Sequence, residues 1–142
     1  MRPLITVFTP TYNREKLIKN LYFSLLDQEC KDFEWIVIDD ESIDNTDNLF
    51  DNIKKEDSGF SITYIKQVHG GKHRALNKGI RLARGRYFFI VDSDDYLLPY
   101  SIKKIKEWVE EIEESFDIAG VSGLCQYSDG SITGEFPKRL LL

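Results

Sequence analysis

An alternation that few folds satisfy runs through this chain. Short runs of β-branched and aromatic residues, LITVFTP (4–10), FEWIVID (33–39), SITYIKQ (61–67) and YFFIV (87–91), are separated by stretches whose apolar residues recur with helical spacing. In the first stretch Ile18, Leu21, Tyr22, Leu25 and Leu26 share one face, which predicts an amphipathic helix over 14–28. Asp44 is placed to cap a second helix over 45–56. A third follows HGG, carried by Ala75, Leu76, Ile80 and Ala83 and stopped by Gly85. Pro99 and Ser101 open a fourth, with Ile102, Ile105, Trp108, Val109 and Ile112 inward. IAGVSGL (118–124) reads as a fifth strand, and YSDGSITG (127–134) as a hairpin turning on Asp129-Gly130.

Strand and helix in strict succession predict an α/β fold. Parallel neighbours need crossover connections, so the sheet is mostly parallel with helices on its faces. The 142 residues make one domain, 1–142, without repeats, low-complexity segments or an internal linker.

In such sheets ligands bind outside the carboxyl ends of the strands, where the strand order reverses. The first exit offers Thr9 to Arg14, the second Asp39, Asp40, Glu41 and Ser42. His69, Gly70, Gly71, Lys72, His73 and Arg74 follow the third, and Asp92, Ser93, Asp94 and Asp95 follow the fourth. Crowded carboxylates repel one another and call for a positive partner, because an unpaired buried carboxylate costs several kcal/mol. Two acidic exits and one basic, glycine-rich exit fit a nucleoside diphosphate carrying magnesium or manganese. Neither a GxxxxGK[ST] loop nor a dinucleotide fingerprint occurs. The phosphates are then held through a carboxylate-bound metal, aided by Lys72 or Arg74.

Charge and composition exclude other classes. A net charge of −5 with no Lys/Arg block argues against a nucleic-acid partner. Cys30 and Cys125 lack metal-ligand spacing and read as thiols of a reduced, cytoplasmic protein. MRPLITVFTP reads as a strand rather than a leader, and no apolar run is long enough to span a bilayer. His69 and His73, without a third ligand, read as surface or hydrogen-bonding histidines. The acids Asp39-Asp40 and Asp94-Asp95, taken singly, could equally cap helices. The lysines and glutamates of 103–114 read as a solvated helix face.

TPTYNR, VIDDES, GGKHRALNKGIRLARGRYFFIVDSDD and the following YLLP, each at a strand exit and in this order, resemble an inverting glycosyltransferase of family 2 with the GT-A fold. The resemblance covers residues 4 to 124 and implies a Rossmann-like, mostly parallel sheet with helices on both faces. It implies that Thr11 and Tyr12 border the nucleotide base, Tyr12 by stacking. Asp40 or Asp39 would accept the imide N–H of uracil, and Lys72 or Arg74 would reach the nucleotide or its diphosphate. Asp92, Ser93 and Asp94 would be the D-x-D motif. Asp92 would touch the ribose or the metal shell, Asp94 would ligate Mn2+ or Mg2+, and Asp95 would share the metal or cap the next helix.

The implied reaction moves a sugar from a UDP-sugar to an acceptor hydroxyl on a glycan or lipid-linked carrier, in bacterial polysaccharide or surface-glycan synthesis. The implied location is cytoplasmic, at the inner face of the membrane. Family members carry their general base well downstream of D-x-D. Here Asp129 and Glu135 are the only acids after the last expected strand, and neither matches a motif. The expectation is a donor-binding portion whose acceptor half is absent. Its exposed sheet edge would favour a homodimer. One rival function is a sugar-nucleotide nucleotidyltransferase, which would carry glycines after the first strand where TPTYNREK has none. The other is a catalytically incomplete module that only binds nucleotide or a protein.

Overall fold

β1 (Ile5–Thr11) lies in the middle of a four-stranded parallel sheet. The computed structural model describes residues 2–112 and 119–133. The order is β3-β2-β1-β4, where β2 is Phe33–Asp39, β3 is Ser61–Lys66 and β4 is Tyr87–Ile90. The chain steps outward from β1 to β3 and then returns to the other side of β1. The order therefore reverses beside β1. Between the strands run α1 (Glu15–Leu26), α2 (Thr46–Ile53) and α3 (Lys72–Leu82), and α4 (Ser101–Ile112) follows β4.

The period-two alternation of β2 assigns the helices to opposite faces. Trp35, on one face, stacks on Tyr22 of α1 at 6.0 Å between centroids and meets Phe50 of α2 at 5.5 Å. Ile36 and Ile38, on the other, form a buried cluster with Phe8 of β1 and Ala75 of α3. Burying side chains of this size contributes about 1.5–3 kcal/mol each. α3 comes close because Gly79 faces Phe8; a Cβ there would stand 2.3 Å from the ring. This is the mostly parallel α/β sheet that the strand and helix pattern predicts, with the Rossmann-like layering that the family resemblance implies.

Three local expectations change. The run 87–91, whose apolar composition suits a buried strand, is an edge among the described residues: the first three residues of β4 are half-buried, and Ile90 is 46% exposed. Ile80 does not face the core but is 53% exposed, and the contact falls to Ala75 and Gly79. Residues 119–124 form no strand. That run is broken by Gly120 and Gly123 and is exposed throughout, so its apolar residues gain no burial that would favour pairing.

The chain divides into two compact units, Met1–Lys104 and Ile105–Leu142. The second contains the end of α4 and the antiparallel pair β5 (Cys125–Gln126) and β6 (Ile132–Thr133). The expected hairpin is there. Asp129 accepts from Ser131 N and Oγ, and Gly130 turns the chain at φ +88°. Glu135, the stretch 136–142, Glu113, Glu114 and Ile118 lie outside the described residues. No helix among those described is long and apolar enough to cross a membrane.

Candidate active site

The carboxyl ends of the four strands are tied to one another in a closed ring. Asn13, after β1, donates its backbone N–H to Ser42 Oγ and accepts from Ile43 N, both at 2.8 Å. Asp44 binds this pair of loops a second time. Its Oδ2 accepts from Glu15 N at the start of α1, and its Oδ1 accepts from Thr46 N and Oγ1. One carboxylate thus serves two helix starts, whereas the sequence assigns it only to the second.

The second and third exits meet at Asp40. Its Oδ1 accepts from Gln67 Nε2 (2.9 Å) and Gly70 N (2.8 Å), and its Oδ2 accepts from Gly71 N (2.9 Å) and lies 2.8 Å from His69 Nδ1. Burial pushes its pKa up, but these hydrogen bonds and His69 outweigh that and hold it below the usual carboxylate range. An ionised carboxylate offers about four acceptor positions, and here all are engaged. Gly71 takes φ +83°, which lets the loop present both amides to one carboxylate before α3 begins. Asp39, buried, accepts from Ser42 N at 2.8 Å and from Tyr64 Oη at 2.5 Å. Tyr64 Oη also lies 2.6 Å from Asp47 Oδ1, so its single proton is shared between the two carboxylates, and burial together with their charges drives its pKa far up.

The fourth exit closes the ring with two ion pairs. Lys72 Nζ meets Asp92 Oδ1 at 2.6 Å, and Arg14 Nη1 meets Asp94 Oδ2 at 2.7 Å. Asp94 is held below the usual range, first by the Arg14 hydrogen bond. Asp95 moves the opposite way: burial, then the charges of Asp94 and Asp92, push it up. The stretch that follows is moored to α1. Leu97 N donates to Ser24 Oγ, and Gln28 donates to Leu98 O while accepting from Ile102 N. Gln28, not Asp95, supplies that side-chain cap for α4.

The ring brings Tyr12, Asp40, Lys72, Asp92, Asp94 and Asp95 to one end of the sheet. Tyr12 is 47% exposed and its ring centre is 5.4 Å from that of His69, beside Asp40. Thr11 is buried, and among the described residues its Oγ1 is a buried oxygen with no hydrogen-bond partner. Arg74 lies over Gly70, where a Cβ would stand 2.4 Å from its Cδ. Sequence reading named Asn13 and Arg14 only as members of the first exit, without a role, and gave Gln67 and Tyr64 no place in the site. Only Arg14 carried a signal, as a lone cation in an otherwise neutral exit.

Known proteins share this fold. Residues 6–129 match the family described as Glycosyl transferase family 2. A putative teichuronic acid biosynthesis glycosyltransferase of Bacillus subtilis is 33% identical over 135 residues, which are 95% of this chain and 52% of that protein. Staphylococcus aureus TarS (residues 1–349), solved with UDP-GlcNAc, superposes with a TM-score of 0.69 and 30% identity over 75% of this chain and 31% of that one. A mannosyltransferase of Pyrobaculum calidifontis, solved with GDP-Man and Mn2+, gives a TM-score of 0.68 and 27% identity over 77% and 33%. The chain thus spans about half or less of the length of these relatives. Fold, strand-exit motifs and family match agree, and the chain belongs to glycosyl transferase family 2.

Proposed function

We propose that this chain forms the nucleotide-sugar-binding portion of an inverting glycosyltransferase that uses a UDP-sugar and a divalent metal. The observation that carries the reading is the ring of four strand exits, which gathers the aromatic face of Tyr12, the cations Arg14 and Lys72, and the carboxylates Asp40, Asp92, Asp94 and Asp95 at the point of strand-order reversal. Two relatives solved with UDP-GlcNAc or with GDP-Man and Mn2+ support it.

In this reading the base stacks on Tyr12, and Thr11 Oγ1 gains from the nucleotide the partner it lacks among the described residues. A buried hydroxyl without a partner costs about 1–3 kcal/mol, so its pairing favours the bound state. The imide N–H of uracil reaches Asp40 by taking the place of His69, whose side chain is 62% exposed, while the loop amides stay. Lys72 and Arg74 face the diphosphate.

The carboxylates fit a hard cation. Among the described residues no three His, Cys, Asp or Glu form a complete cage. Mn2+ and Mg2+, however, commonly sit on one or two carboxylates plus substrate phosphates. Burial first, and then the neighbouring charges of Asp94 and Asp92, raise the pKa of Asp95. Asp94 and Asp95 would hold the ion, with Asp92 at the ribose or beside the metal. When bound, the ion offsets charge on the departing diphosphate. The protein's own part is to hold donor and carboxylates in register and to keep the sugar's outer face open to an acceptor hydroxyl.

The acceptor is a glycan or lipid-linked hydroxyl of the bacterial surface, met at the cytoplasmic face of the membrane. The teichuronic acid relative supports that class. Asp129 is engaged in its own turn, so the general base is sought elsewhere in the enzyme. Thermal denaturation with UDP, GDP, CDP and inorganic diphosphate, each with and without Mn2+, tests the proposal. It predicts the largest rise with UDP and Mn2+ together. A rise with diphosphate equal to that with UDP would contradict base recognition.

A further inference from the structure

Arg14 is the one member of the acidic exit's surroundings that the proposed donor contacts leave without a role. Its backbone is fixed as the start of α1, its carbonyl accepting from Leu17 N and Ile18 N. Its side chain crosses to Asp94, |i−j| = 80, and joins two loops that flank the strand-order reversal. The pair is open to water on both sides, 42% and 51% exposed. Ion pairs this exposed are weak and easily exchanged. The contact engages Nη1, while a guanidinium carries five N–H donors in a fork that suits phosphate oxygens. Lys72 and Asp92 form a second such pair beside it.

Resting on the metal-dependent reading above, we propose that Arg14 is an exchange residue: it holds Asp94 in register until the donor's cation arrives, releases the carboxylate to that cation, and turns its guanidinium to the diphosphate. Arg14 then competes with free metal but cooperates with metal-bound nucleotide. A residue that merely supports the loop would move both affinities in one direction.

The test measures Mn2+ uptake by electron paramagnetic resonance without nucleotide, and UDP affinity by calorimetry at saturating Mn2+ and without it, for the wild type, Arg14→Gln and Arg14→Lys. Loss of the competing pair in Arg14→Gln should tighten Mn2+ binding about two- to fivefold. Loss of the phosphate contact should weaken UDP about fivefold or more. Arg14→Lys should restore much of both, which shows that the folded site survives substitution. Mn2+ binding that is unchanged or weaker in Arg14→Gln, or UDP binding that is unchanged, would overturn the exchange alone. A wild type whose UDP affinity is the same with and without Mn2+ would overturn the metal reading and the exchange with it.

Discussion

Carboxylates sit at opposite ends of the same sheet, one at the amino ends and several at the carboxyl ends, and they are treated in opposite ways. At the amino ends of the strands, Glu34 is almost entirely enclosed, with a side chain 2% exposed. Its Oε1 accepts from Thr6 Oγ1 (2.7 Å) and Arg84 N (2.6 Å), and its Oε2 from Arg84 Nε (2.7 Å). Arg84 goes on to Ser61 Oγ, so one carboxylate gathers β1, β2, β3 and the turn into β4. At the carboxyl ends Asp92 and Asp94 stand half-exposed beside Asp95, and their cation partners are the long side chains of Lys72 and Arg14. One end spends its charge on holding the sheet; the other keeps its charge exchangeable. A carboxylate that is enclosed and fully paired is costly to disturb, while an exposed pair contributes about 0–1 kcal/mol.

Glu34→Ala should make the largest difference. It strands Thr6 Oγ1 and the Arg84 amide, and about 3 kcal/mol of stability should be lost in urea titrations, with UDP affinity of the folded fraction unchanged. A loss under 1 kcal/mol would break the contrast. Asp40→Ala sharpens it, because Asp40 lies at the ligand end yet is buried and fully engaged. It should cost about 2 kcal/mol of stability and also weaken UDP, the two readouts moving together. Tyr12→Ala should leave stability within about 0.5 kcal/mol and weaken UDP by about 1–2 kcal/mol, read by calorimetry.

The smallest effect is one of pH. Burial raises the Glu34 pKa, but the hydrogen bonds from Arg84 and Thr6 outweigh it and hold the folded value below the ordinary one of about 4.3. The stability this supplies is therefore complete above that ordinary value and is lost as pH falls through the folded pKa. Glu34→Gln should show a shallower fall in urea stability on acidification than the wild type. Equal slopes would mean that Glu34 is not the paired acid described.

Much of this contrast was legible in the sequence at one end only. Period-two and helical spacing placed all four parallel strands and the helices, and β2 fell on 33–39 as expected. The strand exits named the acids, the glycine loop and Tyr12, because those residues cluster locally. Glu34 gave no signal, since a lone acid inside FEWIVID reads as an outward strand residue until Arg84 is seen over it. Arg14 was read only as part of the first exit, and its ion pair was not legible because Asp94 is far along the chain. The burial of β4 was overestimated because composition reports apolarity, not whether a strand has one neighbour or two. The fifth strand was inferred from apolar residues that here find no sheet to join.

The central claim is that the exposed carboxylates bind a metal-bound nucleotide. Calorimetric titration of UDP into the chain, with and without Mn2+, beside Asp94→Ala, tests it most directly. The account predicts binding that needs the metal and falls at least about 100-fold in the variant, roughly 2.7 kcal/mol, with the fold intact. UDP binding of equal strength without metal, or in Asp94→Ala, would contradict it.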